Sequence, residues 1–154
     1  TIPGPEWLEN CINTDKTNTG ILGGIGVVLH SDSNYHDHHR FGWATKNAQI
    51  EEVDLVGHAW FFRKEYLKYM WMEEPFTWNN AEDIHFAAMA QKYGKLKSIV
   101  PVQDNERNTS SLLGYELGVD EVATSNPKNH TIFYNERDAA VKYYTENGWK
   151  RVSK

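Results

Sequence analysis

The stretch that most restricts the fold is Trp78-Asn79-Asn80-Ala81-Glu82-Asp83-Ile84-His85-Phe86 and its continuation to Gly94. Apolar side chains recur along it at helical spacing. Ile84, Ala87 and Ala88, with Gln91, line one side, and Phe86, Met89, Ala90 and Tyr93 line another. A helix that is apolar on two sides is largely buried, so the rest of the chain must wrap around it. Asn80 is the expected N-cap, with Asp83 three residues on as in a capping box, and Gly94 is the expected stop after Tyr93. The first turn carries two adjacent acids, Glu82 and Asp83, and two readings stay open for them. Acids there suit the helix dipole, an effect of about 0.3–1 kcal/mol, and need no further purpose. The pair also comes after an aromatic loop, Pro75-Phe76-Thr77-Trp78, and a strand ending in Trp60-Phe61-Phe62. Carboxylates beside exposed rings are a way of holding and activating sugars.

The clearest strand runs over 51–62. Strict alternation puts Val53, Leu55, Gly57, Ala59 and Phe61 on a core face and Asp54, Val56, His58, Trp60 and Phe62 on the other. Asp54, His58 and Trp60 together read as the wall of a site, although His58 is equally well a buried, hydrogen-bonded histidine. Ahead of this strand, a helix fills 6–12 behind Pro5, and 14–20 is a polar turn. A strand over 21–29 is loosened by Gly23, Gly24 and Gly26. No Lys-Ser/Thr comes after those glycines, so they are not a phosphate-cradling loop. Residues 30–42 form a polar loop with Tyr35-His36-Asp37-His38-His39-Arg40. Such a tract suggests either a metal site, as in a hydrolase built on His36, Asp37, His38 and His39, or simply a solvated loop. Adjacent residues converge on one ion only through a tight turn, and no supporting Cys or distant His pattern is present.

Beyond the first strand pair, 63–71 reads as a helix with Tyr66, Leu67, Met70 and Trp71 inward. A short strand spans 96–102. Residues 103–111 form a polar loop with the character of a flexible lid. One or two helical turns are expected over 111–118 and irregular chain over 119–129. A final helix spans 135–147, stopped by Gly148 and docked by Trp149. Strands alternating with helices predict an α/β fold.

The 154 residues suffice for one domain with a real core. The net charge of −5 argues against a nucleic-acid backbone or an anionic membrane as partner. Six Trp and eight Tyr are the unusual feature of the composition and suggest a surface that stacks on rings. Cys11 is alone, so no internal disulfide forms. No apolar run reaches bilayer length and no signal peptide is visible, so no membrane span is expected and the expected setting is the cytoplasm. The opening Thr1-Ile2-Pro3-Gly4-Pro5 reads as the middle of something longer.

The ordered series of motifs resembles the C-terminal, acceptor-binding half of GT-A fold glycosyltransferases, most closely the compact ones of large DNA viruses and of bacterial polysaccharide pathways. The likeness lies in residues 53–62, then in Asn79-Asn80-Ala81-Glu82-Asp83-Ile84-His85-Phe86, Gln91-Lys92-Tyr93-Gly94 and Val100-Pro101. It extends to Ser110-Ser111-Leu112 through Gly118, Ala123-Thr124-Ser125-Asn126, His130 and Arg137-Asp138. At the other end, Ile2-Pro3-Gly4-Pro5-Glu6-Trp7-Leu8 is similar to the segment just after that family's Asp-x-Asp metal motif.

The resemblance implies a mixed sheet flanked by helices, a nucleotide-sugar donor and a glycan acceptor. It implies Asp83 as general base toward the acceptor hydroxyl if the reaction inverts the anomeric centre, with Glu82 hydrogen-bonding donor or acceptor hydroxyls. His130 becomes a ligand to Mn or Mg, where the bland reading is a surface-loop histidine. Trp60 and Trp78 would stack on the acceptor sugar, Gly57 and His58 would line the donor-sugar pocket, and Asn80 would also bind substrate. Two departures stand out. The Asp-x-Asp motif and the nucleotide-binding half are absent, so transfer would need a complementing N-terminal segment or chain. Ala81 also stands where relatives often carry Gly. The rival expectation is a non-catalytic glycan-binding or remnant domain.

Overall fold

The computed structural model describes residues 2–42, 46–111 and 130–152, with His130 described by its backbone alone. In chain order the elements are helix α1 (Trp7–Thr17), strands β1 (Gly20–Leu22), β2 (Ile25–Leu29), β3 (His38–Gly42), β4 (Glu51–Val53) and β5 (Leu55–Gly57), a 3-10 helix (Lys64–Trp71), α2 (Glu82–Gly94), β6 (Lys97–Val100) and α3 (His130–Glu146). The architecture is mixed α/β, with small sheets flanked by helices. Among the described residues one sheet has the order β1-β6-β4 and the other β3-β2-β5. In the first, β1 runs parallel to β6 and β4 antiparallel to it; in the second every pairing is antiparallel. No helix of the described residues is long and apolar enough to cross a membrane. The helical turns expected over 111–118 and the irregular stretch 119–129 lie, from residue 112 on, outside the described residues.

Helix α2 is the hub. Ile84 through Ala90 are all buried. Ile84, Ala87, Ala88 and Met89 pack with Val27, Leu29 and Leu55 on one side and with Ala140, Val141, Tyr144 and Trp149 on the other. Phe86 and Ala90 pack with Ile21, Val28, Val53, Val56 and Val100. Phe86 is enclosed by Trp60 and Phe62, with ring centroids 5.8 Å and 5.1 Å away. A third cluster joins Trp7 and Cys11 of α1 to Leu22 and Ile99. Burial pushes the Cys11 thiol up to about 12, so it serves as an apolar filler.

Tertiary packing overrides the local pattern in several places. The strand expected over 21–29 breaks at Gly23-Gly24, and its halves join different sheets. The strand expected over 51–62 breaks at Asp54, again between sheets, so the alternation read across it fails. Asp54 is buried and structural, not part of a site wall. Its Oδ2 accepts the Leu29 amide hydrogen at 2.7 Å, and its Oδ1 accepts that of Val152. The carboxylate thereby ties the C-terminal tail to the core. Part of the polar loop expected over 30–42 is strand β3, because it pairs with β2 from Leu29↔His38 to Ile25↔Gly42. Helix α1 runs through the expected turn as far as Thr17.

Residues 64–71 form a 3-10 helix with none of its residues buried. Leu67 and Trp71 point outward, contrary to the expected inward stripe, and Tyr69 is the ring that packs on both main clusters. Nor is 103–111 a free lid. Gln103 Nε2 donates to Gly24 O at 2.9 Å and its Oε1 accepts from Ser110 N at 2.8 Å. Gly4 N donates to Thr109 O at 2.9 Å, and Asn10 Nδ2 donates to Val102 O at 2.7 Å. These bonds fasten the loop to the N-terminal segment.

The segment from Lys64 to Asn80 lies as a strap over α2 and α3. His85 holds its middle. A carbonyl only accepts, so His85 Nε2, 2.9 Å from Met70 O, carries the ring hydrogen. Nδ1 is hydrogen-bonded to the Tyr144 hydroxyl at 2.6 Å, whose oxygen accepts the Phe76 amide hydrogen at 3.0 Å. Every polar group in this buried relay is satisfied, which is the condition for keeping it in a core.

The C-terminal end of α2 departs from the expected glycine stop. Gly94 is the last helical residue, and Lys95 takes the left-handed position with φ 55°. Gly94 is small because Tyr69 crosses it: a Cβ there would lie 2.7 Å from the ring. Lys95→Gly should therefore raise stability by about 1 kcal/mol, since a side chain in the left-handed region costs about that much. Gly94→Ala should lower stability. Paired thermal melts check both signs. Asp54→Asn should cost about 1–3 kcal/mol, because an amide group offers one acceptor to two amide donors. Hydrogen exchange should show the Val152 amide losing protection first.

Candidate functional site

Asp83 is the second residue of α2, and its side chain is 14% exposed. Oδ1 accepts the Ile84 amide hydrogen at 2.8 Å, and Oδ2 accepts from Arg137 Nη2 at 2.7 Å. Arg137, on α3, has a side chain only 5% exposed. Its guanidinium carbon lies 4.1 Å from the Tyr35 ring centroid and 5.2 Å from that of Phe133. Burial opposes the charge of this guanidinium. The Asp83 carboxylate and the Tyr35 hydroxyl more than offset that opposition, so Arg137 holds its proton more tightly than a free arginine. Arg137 Nε is buried with no hydrogen-bond partner among the described residues, while Nη2 donates to Asp83.

Three consecutive residues of α3 surround the pair. Glu136 accepts from Asn79 Nδ2 at 2.9 Å and from Asn80 Nδ2. Arg137 holds Asp83. Asp138 Oδ1 accepts the Tyr35 amide hydrogen at 2.5 Å. The loop before α2, the first turn of α2 and the loop carrying Tyr35 are thus fastened from one helix turn. Sequence reasoning assigned no role to Glu136, Arg137 or Asp138. A run of acid, base and acid on a helix otherwise reads as a solvated face, and the signal available was Arg137 beside buried neighbours at helical spacing.

The expected N-cap at Asn80 is not formed. Ala81 occupies the cap position in a left-handed conformation, φ 70°, with no side-chain cap bond. The Asn80 amide is drawn instead to Glu136, a charged acceptor. A left-handed cap is a conformation that glycine takes without strain and alanine does not.

Gly57 and Asp83 come together. A Cβ built on Gly57 would sit 4.0 Å from Asp83 Oδ2, with nothing nearer among the described residues apart from its chain neighbours, so this side of the carboxylate faces a bare α-carbon. The next two residues, His58 and Ala59, both take positive φ, 51° and 47°. The His58 carbonyl accepts the Gly24 amide hydrogen at 2.8 Å, which holds the strained pair in place. His58 is exposed overall, yet desolvation of its ring lowers its pKa, and the opposing charge of Asp83 is the smaller effect. Ala81, two residues before Asp83, and His58, next to Gly57, are the left-handed non-glycine residues near this carboxylate, whereas Ala59 packs toward the Trp7 and Cys11 cluster. Strain of this kind costs about 1–3 kcal/mol per residue and gathers at functional sites.

Other expected members lie elsewhere. Trp60 is half-buried. Its Nε1 donates to Val56 O at 2.9 Å and its ring backs onto Phe86, so it is a core wall and not an open stacking face. Trp78 is 74% exposed and stands five residues before Asp83. Glu82 is exposed in the first turn of α2. His130 is the first residue of α3, and its side chain lies outside the described residues.

The histidine tract does not converge. Asp37 pairs with His30 at 3.0 Å, His36 stacks on Tyr134 with centroids 3.4 Å apart, His38 Nδ1 meets Tyr35 O at 2.5 Å, and His39 sits edge-on to Phe41. Among the described residues no group of three His, Cys, Asp or Glu is placed to hold a metal ion. A cavity of about 430 Å³ sits at the far end of α2, lined by Asp54, Gln91, Lys95 and Lys150 among others. Neither it nor the cavities of about 420 and 580 Å³ is lined by Asp83, His58 or Trp78.

Arg137→Met should destabilise the protein by about 3–5 kcal/mol, the usual cost of leaving one partner of a buried ion pair alone. Adding Asp83→Asn to that variant should return part of the loss. Denaturant melts of the two single variants and the double variant measure the coupling. A scan against protein-family models and a search of curated proteins find no match to this chain.

Proposed function

We propose that the chain is the acceptor-binding, catalytic-base half of a GT-A type glycosyltransferase, moving a sugar from a nucleotide diphosphate to a carbohydrate hydroxyl. One observation carries this reading. A carboxylate at the start of a buried helix is gripped from behind by Arg137 and faces the bare α-carbon of Gly57, with left-handed Ala81 two residues before it and left-handed His58 next to Gly57.

Each oxygen of a carboxylate has two lone pairs. On Oδ2 one is used by Arg137, and the side toward Gly57 remains for an acceptor hydroxyl. Asp83 takes that proton as the acceptor oxygen bonds to the anomeric carbon and the bond to the diphosphate breaks, which inverts the centre. Glu82 hydrogen-bonds sugar hydroxyls, and Trp78 offers its exposed face to the acceptor ring. Gly57 and His58 border the donor sugar. Trp60 supports this wall from the core side. Glu136 fixes the Asn79-Asn80 loop, and Arg137 sets the direction of the base. A Mn or Mg ion, when bound, stabilises the leaving diphosphate. Within this chain the resemblance assigns it His130, and the Asp-x-Asp ligands would come from a complementing segment or chain.

A second reading has its own support. Both Asp83 oxygens already hold hydrogen bonds, as in a purely structural pair, and the aromatic surface stands without any catalysis. That favours a glycan-binding domain with no chemistry of its own.

Nucleotide-sugar hydrolysis with Mn separates the two, measured for this chain and for one completed by a nucleotide-binding segment. Activity in the completed form alone supports the transferase. Glycan binding with no turnover in either form supports the rival. In the completed form Asp83→Asn should lower turnover by about 10²–10⁴-fold while donor affinity stays within about twofold, because a general base acts in the transition state and not in donor binding. Equal loss of both would make Asp83 structural.

A further inference from the structure

The chain has five arginines, and four of them face a carboxylate: Arg63 meets Asp15, Arg107 meets Glu6, Arg137 meets Asp83 and Arg151 meets Asp32. Arg40 is the fifth. Its side chain is exposed and has no hydrogen bond or ion pair among the described residues. A charge on an edge strand such as β3 can serve only to discourage further strand pairing. The register gives Arg40 a more specific place.

Residues directly opposite each other in an antiparallel pair point to the same face. Arg40 is opposite Val27, and Val27 is opposite Leu55, both of which pack with α2. Gly57 stands two residues after Leu55, on the same face, where it meets Asp83. Arg40 therefore projects on the Asp83 side of the sheet, from its open edge. Two strand spacings across and two residues along put its α-carbon about 12 Å from that of Gly57. An arginine side chain and one bound sugar span that gap. Electrostatics agree with the register. Desolvation first, and the Arg40 charge in addition, hold His38 and His58 below the usual histidine range. Burial raises Tyr35, and Arg40 is among the charges that oppose the rise.

The acids around this face are engaged. Asp83 holds Arg137, Asp138 takes the Tyr35 amide hydrogen, Asp37 pairs with His30, and Glu136 holds Asn79 and Asn80. An unpaired guanidinium beside a site attracts a negative group, and its planar fork matches a carboxylate. Two ligands of the proposed reaction are candidates to supply one, the donor's diphosphate and the acceptor. When the centre inverts, base and leaving group lie on opposite faces of the anomeric carbon. Arg40 flanks the base, so the negative group belongs to the acceptor.

We infer that the glycan bound beside Asp83 is acidic, a uronic acid whose carboxylate is held by Arg40 while a hydroxyl of the same sugar meets Asp83. This rests on the reading that a glycan is bound at Asp83, which the transferase and its glycan-binding rival share. It adds the class of sugar and the residue that selects it.

The experiment uses this chain with disaccharides ending in glucuronate or galacturonate and with their glucose and galactose counterparts, followed by calorimetry. The net charge of −5 repels acidic ligands in general, so a preference for the acidic form reports a local cation. At least one uronic disaccharide should bind about tenfold more tightly than its neutral counterpart, the gain of one charge-assisted contact. Arg40→Gln should bring its affinity down to the neutral level, and Arg40→Lys should keep part of the preference, because an ammonium lacks the fork. Position 40 is exposed, and circular dichroism confirms that the variants fold. Equal affinity for acidic and neutral sugars, a preference that survives Arg40→Gln, or no binding of either class overturns the inference. So does binding of inorganic pyrophosphate that Arg40→Gln abolishes while sugar binding is unchanged, which assigns the arginine to the donor. Metal-dependent donor hydrolysis in the completed form without any acidic preference removes the inference and leaves the transferase standing. An acidic preference lost in Arg40→Gln, with no hydrolysis in the completed form, keeps the inference and removes the transferase.

Discussion

A guanidinium withdrawn from water obliges its surroundings to supply a carboxylate, and at Arg137 that carboxylate is Asp83. The first turn of α2, the Tyr35 loop and the Asn79-Asn80 loop all depend on this demand, because Glu136 and Asp138 flank the same cation and fasten the neighbouring segments. A buried ion pair is an indifferent source of net stability, since desolvation cancels much of the attraction. Its value lies in direction. Each partner is costly to leave alone, so the pair defines which way the Asp83 carboxylate faces and how loops from distant parts of the chain meet around it.

The same logic extends along the strap. The 3-10 helix has no fully buried residue, although Tyr69 and Met70 pack partly buried against the core clusters. The strap is held by polar bonds to groups that the core has already fixed, His85 and Tyr144 among them. Such attachment leaves its side chains free for the surface. Trp71 and Trp78 stand exposed over a backbone that is not free to move with them. A mobile loop would lose conformational entropy on binding, and a pinned one has already lost it.

The sequence pattern succeeded where burial was the only question. Period 3.6 in 84–93 found α2 and its buried run from Ile84 to Ala90, and the folded chain completes that core with Ala140, Val141, Tyr144 and Trp149. It failed wherever one continuous pattern had to serve two neighbours. The stretch 51–57 alternates like a single strand, yet Asp54 sits at a break where the chain leaves one sheet for the other. Alternation reports which residues avoid water and does not report which sheet shields them. Gly94 and Asn80 failed for another reason. Each matched a capping rule, but Tyr69 claims the space over Gly94 and Glu136 claims the amide of Asn80. The loop 103–111, polar by composition, is ordered by the buried Gln103 side chain, whose partners are remote in sequence.

From the residues alone comes an α/β core around one buried helix with two acids at its opening, because helical period and first-turn chemistry act over a few neighbouring residues. The partners of those acids were decided only by the folded chain. Asp83 meets a cation 54 residues away and a glycine 26 residues before it, and Trp60 turns into the core while Trp78 stays outside. Ion pairing and burial depend on separation in space, and closing the chain around α2 sets those separations.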